Sequence, residues 1–142
     1  MYKEKILKDP FTNRFKTELL SLRYLEKNDK IIVSASGGLD STVLLFLLQS
    51  IGHYEIIVAH VDHAIREDSI NDKMFVESLC MGLNVPFFCK TLDPSSKLKK
   101  ESPEQWAREK RYEYLSTLSI ETKSDWIMTG HHCNDNAETI LM

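Results

Sequence analysis

Six consecutive residues, Ser36-Gly37-Gly38-Leu39-Asp40-Ser41, combine hydroxyls, two glycines and a carboxylate. They lie between an apolar β-branched run, about Lys30 to Ala35, and an apolar run from about Ser41 to Ser50. A strand that turns through glycines into a helix start is a phosphate cradle. The glycines permit close backbone approach and unusual φ/ψ, and the helix start offers unpaired N–H groups at the positive end of its dipole. The pattern G-x-x-x-x-G-K-[ST] is absent, so no lysine follows the β- and γ-phosphates. A carboxylate, Asp40, stands in the first helical turn instead. A carboxylate beside phosphates is repulsive unless a cation sits between them, so Asp40 implies Mg²⁺. The bland alternative is a strand-to-helix turn in which Asp40 and Ser41 only cap. Candidate phosphate contacts are Ser36, Gly37, Gly38, Leu39 and Ser41, with Asp40 on the metal.

Two further polar segments follow expected strands: Asp62 to Arg66 after the run Glu55–Val61, and Gly130 to Asp135 after the run Asp125–Thr129. In an open parallel sheet, ligands sit beyond the carboxyl ends of the strands at the switch point, so all three segments are expected to face one crevice. His60 and His131 are candidate nucleotide contacts, the alternative for His131 and His132 being hydrogen-bonded packing at a strand end. A zinc site from His60, His63, His131, His132 and Cys133 is a weaker reading, because neither H-x-x-H nor H-H is a strong metal spacing. Arg111 shares a helical stripe with Ala107, Tyr114, Leu115 and Leu118. A guanidinium there is costly unless paired, with a protein carboxylate or with a phosphate in the crevice. Arg108, one turn earlier, is placed to join it. Trp106 and the tyrosines read as packing. Lys97, Lys99 and Lys100 read as a solvated loop, with a moving cover or an RNA-backbone contact as the alternative.

The elements that must position these groups follow from periodicity and turn chemistry. Phe11, Phe15, Leu19, Leu22 and Leu25 mark a packing helix from about Pro10 to Glu26. Asn28-Asp29-Lys30 is a turn. Strands are expected at about 30–35, 55–61, 85–90 and 125–129, and helices at about 41–50, 70–81 and 103–118. Gly52 ends the first of these helices. Ser69, with Asp72, is expected to cap the second, and Gly82 to stop it. Ser102 as N-cap, Pro103 at N1 and Gln105 completing a capping box announce the third. Thr91 to Ser102 has no periodicity. Glu138 to Met142 reads as the first turns of a helix, cut without a cap or glycine stop, which suggests a fragment or a truncated product. An uncovered sheet would then favour self-association. Alternating strands and helices with short connections predict an α/β fold, a parallel sheet with helices on both faces.

The chain has 142 residues, enough for one domain with a real core. Its net charge of −3 excludes a globally basic nucleic-acid binder, so any such partner must meet a local patch or sequence not present here. The three cysteines, Cys80, Cys89 and Cys133, form no C-x-x-C pair and no even framework, as expected of reduced thiols. No apolar run reaches membrane-spanning length and the N-terminus lacks a signal-peptide core, so a cytoplasmic location with no membrane partner is expected.

The hexapeptide resembles the S-G-G-x-D-S loop of the PP-loop ATP pyrophosphatases, which cleave ATP between the α- and β-phosphates and adenylate a substrate oxygen. His60-Val61-Asp62-His63-Ala64-Ile65-Arg66, Ala107-Arg108-Glu109-Lys110-Arg111-Tyr112 and Gly130-His131-His132-Cys133-Asn134-Asp135-Asn136-Ala137-Glu138-Thr139 narrow the likeness. In order and spacing they are similar to the H-V-D-H-G-L-R, A-R-x-x-R-Y and G-H-H-x-x-D-x-x-E-T segments of the tRNA(Ile)-lysidine synthetases. The resemblance spans about Lys30 to Met142. It implies a Rossmann-like three-layer sandwich of the adenine nucleotide alpha hydrolase type, incomplete at its C-terminus, with the tRNA-recognition part absent. It implies ATP and Mg²⁺ as cofactors, and tRNA(Ile) with a CAU anticodon and L-lysine as partners. The implied reaction adenylates the C2 oxygen of the wobble cytidine, after which the lysine amine displaces AMP to give lysidine. Asp40, Arg111 and Asp135 would be catalytic, with Arg111 and Asp135 at the reacting base or lysine. Ala64 stands where the family often has glycine, an expected change in the turn after the second strand. Asn134 and Asn136 replace the family's frequent Asp and Gln. Another PP-loop reaction, such as tRNA thiolation, would require paired cysteines. A nucleotide-binding fragment without turnover is the alternative of a different class.

Overall fold

Ile31, Ile32 and Val33 are consecutive β-branched residues, the composition of a strand covered on both faces. In the computed structural model, which describes residues 26–65, 67–97, 100, 102–129 and 138–141 (backbone alone at 39–40 and 138–141), this segment is strand β1 (Lys30–Ser34). All three apolar side chains are 0% exposed. Strand β2 (Glu55–Asp62) pairs with β1 in parallel on one side, and β3 (Phe87–Thr91) pairs in parallel with β2. Strand β4 (Trp126–Thr129) pairs in parallel on the other side of β1, and β5 (Glu138–Leu141) runs antiparallel to β4. The order is β3-β2-β1-β4-β5.

Helices α1 (Leu39–Ile51) and α2 (Ser69–Leu83) cover one face, packing Leu44, Leu45, Leu48, Val76 and Cys80 on Ile31, Val33, Val58 and Met128. Helix α3 (Pro103–Thr122) covers the other, packing Leu115 and Leu118 on Ile32, Ile57, Ala59 and Ile127. The winding therefore reverses after β3: the chain crosses to the opposite face and returns beside β1. That reversal opens a crevice beyond the carboxyl ends of β1 and β4, where open α/β sheets hold ligands. The expected turn before β1 is present, with Asn28 at φ +73° and Asp29 Oδ2 accepting from the Trp126 indole at 2.9 Å.

Several boundaries differ from expectation. Helix α1 starts at Leu39, not Ser41. Gly82 lies inside α2, and Asn84, in the left-handed region at φ +57°, ends it. Asparagine tolerates that conformation, and its own N–H bonds back to the last turn. Ser69 is the first residue of α2 rather than its cap, a place taken by Asp68. The Ser102 cap is present, its Oγ accepting from Gln105 N at 3.1 Å. The capping box is half-made, because the Gln105 amide donates to Glu109 Oε1 at 3.3 Å instead of returning to the cap. No breaker interrupts α3 before Lys123, so it outruns Leu118 and buries Ser119 as well. The largest correction is the segment Glu138–Leu141. It is an edge strand and not a helix start: Thr139 and Ile140 are β-branched, and β4 offers an open row of backbone groups to pair. The expected helix over 10–26 lies outside the described residues except for Glu26, which is in the turn region. Among the described residues no helix is long and apolar enough to cross a membrane.

Candidate active site

The loop after β1 is pinned from beneath. Ala35 N donates to Ala59 O at 2.9 Å, and Ala35 O lies 2.7 Å from His60 Nδ1. Gly37 then turns the chain at φ +91°, a conformation that glycine adopts without strain. An added Cβ there would stand 3.1 Å from Asp72 Cβ on α2, so a side chain at this position would press on Asp72 and require it to give way. Gly38 is the N-cap of α1 and supplies no side-chain acceptor to the N–H groups of the first turn. Those donors and the helix dipole are available to an anion.

Hydroxyls brace the loop. Ser41 Oγ donates to Gly38 O at 3.1 Å and accepts from Ser36 N at 3.3 Å. Thr42 Oγ1 donates to the same carbonyl at 2.9 Å. Ser41 is 2% exposed, so it holds the loop from behind. Ser36 is exposed at the rim, where its Oγ accepts from Gly38 N at 3.4 Å.

A cavity of about 470 Å³ opens above the loop, a volume within the range of small-molecule sites. It gathers Ser36, Gly37, Gly38, His60 and Arg111 from the candidate set. Ser41 is not on its lining. The backbone of Leu39 and Asp40 opens α1 directly after the loop. His131 and Asp135 lie outside the described residues, as do Arg66, His132, Cys133, Asn134 and Asn136.

His60 is 3% exposed. Its Nδ1 faces a carbonyl, so it carries the proton, and Nε2 is buried with no hydrogen-bond partner among the described residues. An unpartnered acceptor on a cavity lining is one that a ligand or water satisfies. Asp62 also lines the cavity and is 6% exposed. Burial pushes its carboxyl up. The Ser69 hydroxyl, the Ala64 N–H and the nearby imidazoles of His60 and His63 together outweigh that and hold it below the ordinary carboxylate range. The Ala64 N–H reaches Asp62 Oδ1 at 3.0 Å because Ala64 sits at φ +55°. The turn is therefore one that glycine would adopt freely, made here by alanine at a cost in strain.

Arg111 is half-buried and lines the same cavity. Its Nε is buried without a hydrogen-bond partner, and among the described residues no carboxylate pairs with it. Of the two readings open from sequence, this geometry favours an anion in the crevice. A second cavity, of about 550 Å³, adjoins the first and shares Val61, His63 and Arg111 with it.

Asp62 and Asp72, both on the first cavity, were not singled out as site residues from the sequence. Asp72 reads there as a helix-cap partner, and nothing local reveals that the first turn of α2 rises beside Gly37. Carboxylates beside a phosphate site would call for a cation there, and the hard oxygens of Asp62 and Asp72 would suit Mg²⁺. Among the described residues no group of three or more His, Cys, Asp or Glu gathers as a metal site. Cys80 and Cys89 are on α2 and β3, away from the loop. Burial, then the charge of Glu77, pushes the Cys80 thiol up to about 11. Burial likewise raises that of Cys89.

Comparison with known proteins agrees with this architecture. The chain is 38% identical over 125 residues to a tRNA(Ile)-lysidine synthase of Clostridium perfringens, covering 83% of this chain and 26% of that protein. It is 38% identical over 133 residues to one of Thermosipho africanus, covering 90% and 31%. With one of Porphyromonas gingivalis it is 35% identical over 140 residues, covering 96% and 31%. The chain thus spans less than a third of the length of these curated relatives. Two solved structures share the fold. A U34-tRNA thiolase from Methanococcus maripaludis aligns with TM-score 0.76 at 22% identity, covering 90% of this chain and 46% of that one. An NH3-dependent NAD synthetase from Campylobacter jejuni aligns with TM-score 0.59 at 15% identity, covering 89% and 56%. A family model described as a PP-loop domain matches residues 8–142, nearly the whole chain. With a glycine loop at an uncapped helix start, at the switch point of a parallel sheet, the chain belongs to the PP-loop domain family.

Proposed function

We propose that this chain is the ATP-using part of a lysidine-forming ligase, which joins L-lysine to the wobble cytidine of tRNA(Ile) bearing a CAU anticodon. The observation that carries the reading is the convergence on one cavity of the Gly37-Gly38 loop, the start of α1 without a side-chain cap and the guanidinium of Arg111, which no carboxylate pairs among the described residues. Likeness to lysidine synthases along most of the chain supports it. The N–H groups of the loop and of the first α1 turn hold the polyphosphate of ATP. The C2 oxygen of cytosine attacks the α-phosphorus, and pyrophosphate leaves into the cradle. The lysine amine then attacks C2 and AMP departs. Mg²⁺, when bound through Asp40, supplies charge neutralisation for the departing pyrophosphate. Arg111 neutralises charge at the reacting phosphate. Asp135 takes the proton of the lysine amine, which must be neutral to attack. Ser36, Leu39 and His131 complete the nucleotide contacts, Ser41 keeps the loop in shape, and the work is done in the cytoplasm.

The test is AMP release by the chain, with omission of tRNA(Ile) or of L-lysine as controls. Release that needs both supports the ligase. Mg²⁺-dependent ATP binding with no AMP release would instead make the isolated chain a nucleotide-binding unit. Thiolation receives no support from Cys80 and Cys89, whose thiols are held protonated.

A further inference from the structure

Strand β3 is the outer strand of the sheet, and among the described residues nothing pairs with its free side. Pro86 O accepts from Val58 N at 2.9 Å, and Leu92 N donates to Asp62 O at 2.8 Å. Bonds to β2 thus fall on the even-numbered residues, and the alternation of a parallel ladder turns the N–H and C=O groups of Phe87, Cys89 and Thr91 outward. An open row of this kind is a template for another strand, commonly blunted by charge, and Lys90 is the one charged side chain on β3.

The same edge carries exposed apolar side chains. Phe88 is exposed on the face that α3 covers, in register with Ala59. On the opposite face α2 overhangs the strand, with Lys73 and Glu77 near enough to Cys89 to act on its thiol. Ile70, Met74 and Met81 continue that flank in one narrow stripe, at 3.6 residues per turn, and all three are exposed. Exposed apolar residues scattered singly are ordinary, whereas a line of them beside an open strand edge marks a contact surface.

The edge is complementary to itself. In an antiparallel pairing about a two-fold axis at Cys89, the outward groups of Phe87 meet those of Thr91 of the second copy, and Cys89 meets its own copy. Phe88 then stands opposite Lys90 of the second copy, where an ammonium over a ring is attractive. On the other face α2 lies above β2 and β3. Strands repeat every ~4.8 Å, so α2 and its copy stand about 10 Å apart, the separation of packed helices. They run antiparallel, which sets Ile70 beside Met81 of the second copy, Met74 near the axis, and Lys73 beside Glu77 of the second copy. Each charge on the flank meets its opposite and not itself.

We propose that β3 is the interface of a closed dimer: two copies of this chain join their sheets edge to edge through Phe87, Cys89 and Thr91, with the Ile70, Met74 and Met81 stripes packed across the axis. A two-fold contact consumes both edges at once and does not propagate. The strands of the two copies point in opposite directions, so the two crevices open at opposite ends of the joined sheet.

Sedimentation velocity of the chain across a concentration series tests the state, and amide hydrogen exchange read by NMR tests the place. The expected result is a monomer–dimer equilibrium in which the amides of Phe87, Cys89 and Thr91 gain protection as concentration rises. Met74→Asp places two carboxylates near the axis and weakens the dimer by about tenfold or more. Thr91→Pro removes an outward N–H, leaves the bonds to β2 in place and weakens the dimer likewise. Met74 is exposed in the single chain, so Met74→Asp keeps the fold and decides the question if Thr91→Pro does not fold. An unchanged urea midpoint, taken where the parent is monomeric, verifies this. A chain that stays monomeric throughout, its stripe bare or covered by its own residues 1–25, overturns the proposal. So does a dimer as tight in Met74→Asp as in the parent, or one whose three edge amides exchange as in the monomer. Growth beyond the dimer overturns it as well, being the mark of an open-ended contact such as one through β5.

Discussion

The ring of His60 sits 2.7 Å, through Nδ1, from the carbonyl of Ala35. The end of β2 is thereby tied to the residue from which the phosphate loop departs, and the loop's base is rigid before any ligand arrives. His60→Ala leaves the Ala35 carbonyl without this donor in a buried place. It is expected to cost about 2 kcal/mol of stability and to weaken ATP binding. Urea denaturation beside calorimetric titration reads both, and an unchanged urea midpoint would remove the tie from the account.

Ala64 carries strain that glycine would not. At φ +55° it holds the turn that lets its N–H cap Asp62. Ala64→Gly is expected to stabilise the chain by about 1 kcal/mol, since the left-handed penalty disappears while the hydrogen bond stays. Thermal or urea unfolding checks the sign, and a destabilised variant would show that the turn needs the methyl group.

Asp62 makes stability depend on acid. Its folded pKa lies below the ordinary 3.8, so its contribution is complete above that value and is lost as pH falls through the lower folded pKa. Asp62→Asn should therefore be less stable than the parent near neutrality, with the difference closing in the acid limb below 3.8. Urea midpoints measured against pH test this, and a difference that widens on acidification would reverse the assignment.

The two described thiols are structural. With the Cys80 thiol pushed up to about 11 by burial, it is not a thiolate at neutral pH. Cys80→Ala combined with Cys89→Ser is expected to keep ATP binding and AMP release, with a modest loss of stability. Loss of turnover in a folded double variant would return sulfur chemistry to consideration.

What the sequence made legible was local chemistry. The glycine loop, the alternation of strands and helices and the Ser102–Pro103 helix start each follow from a few neighbouring residues with strong backbone preferences. Asn84 outcompeted Gly82 as the stop of α2 because a glycine is tolerated inside a helix that tertiary packing holds. Ser41 reads as a ligand group from sequence, and in the structure its hydroxyl bonds within the loop, since the direction of a hydroxyl depends on the loop around it. Asp72 and the joining of two cavities at Arg111 arise from the packing of α2 and α3 against the crevice, which no short window encodes. Glu138–Leu141 paired as a strand because β4 offered an edge to a segment with the β-branched Thr139 and Ile140, and that edge is a fact about the sheet.

On the proposed reading, the Gly37-Gly38 loop at the start of α1 holds ATP through a cation. Calorimetric titration of the chain with ATP, with Mg²⁺ and again with EDTA, tests it most directly alongside Gly37→Ala and Asp40→Ala. A Cβ at Gly37 would stand 3.1 Å from Asp72 Cβ. It would also occupy a strained left-handed conformation costing about 1–2 kcal/mol. Binding is expected to require Mg²⁺ and to fall by about tenfold or more in both variants, one such step being about 1.4 kcal/mol. Equal affinity in EDTA, or undiminished binding in a folded Gly37→Ala chain, would contradict it.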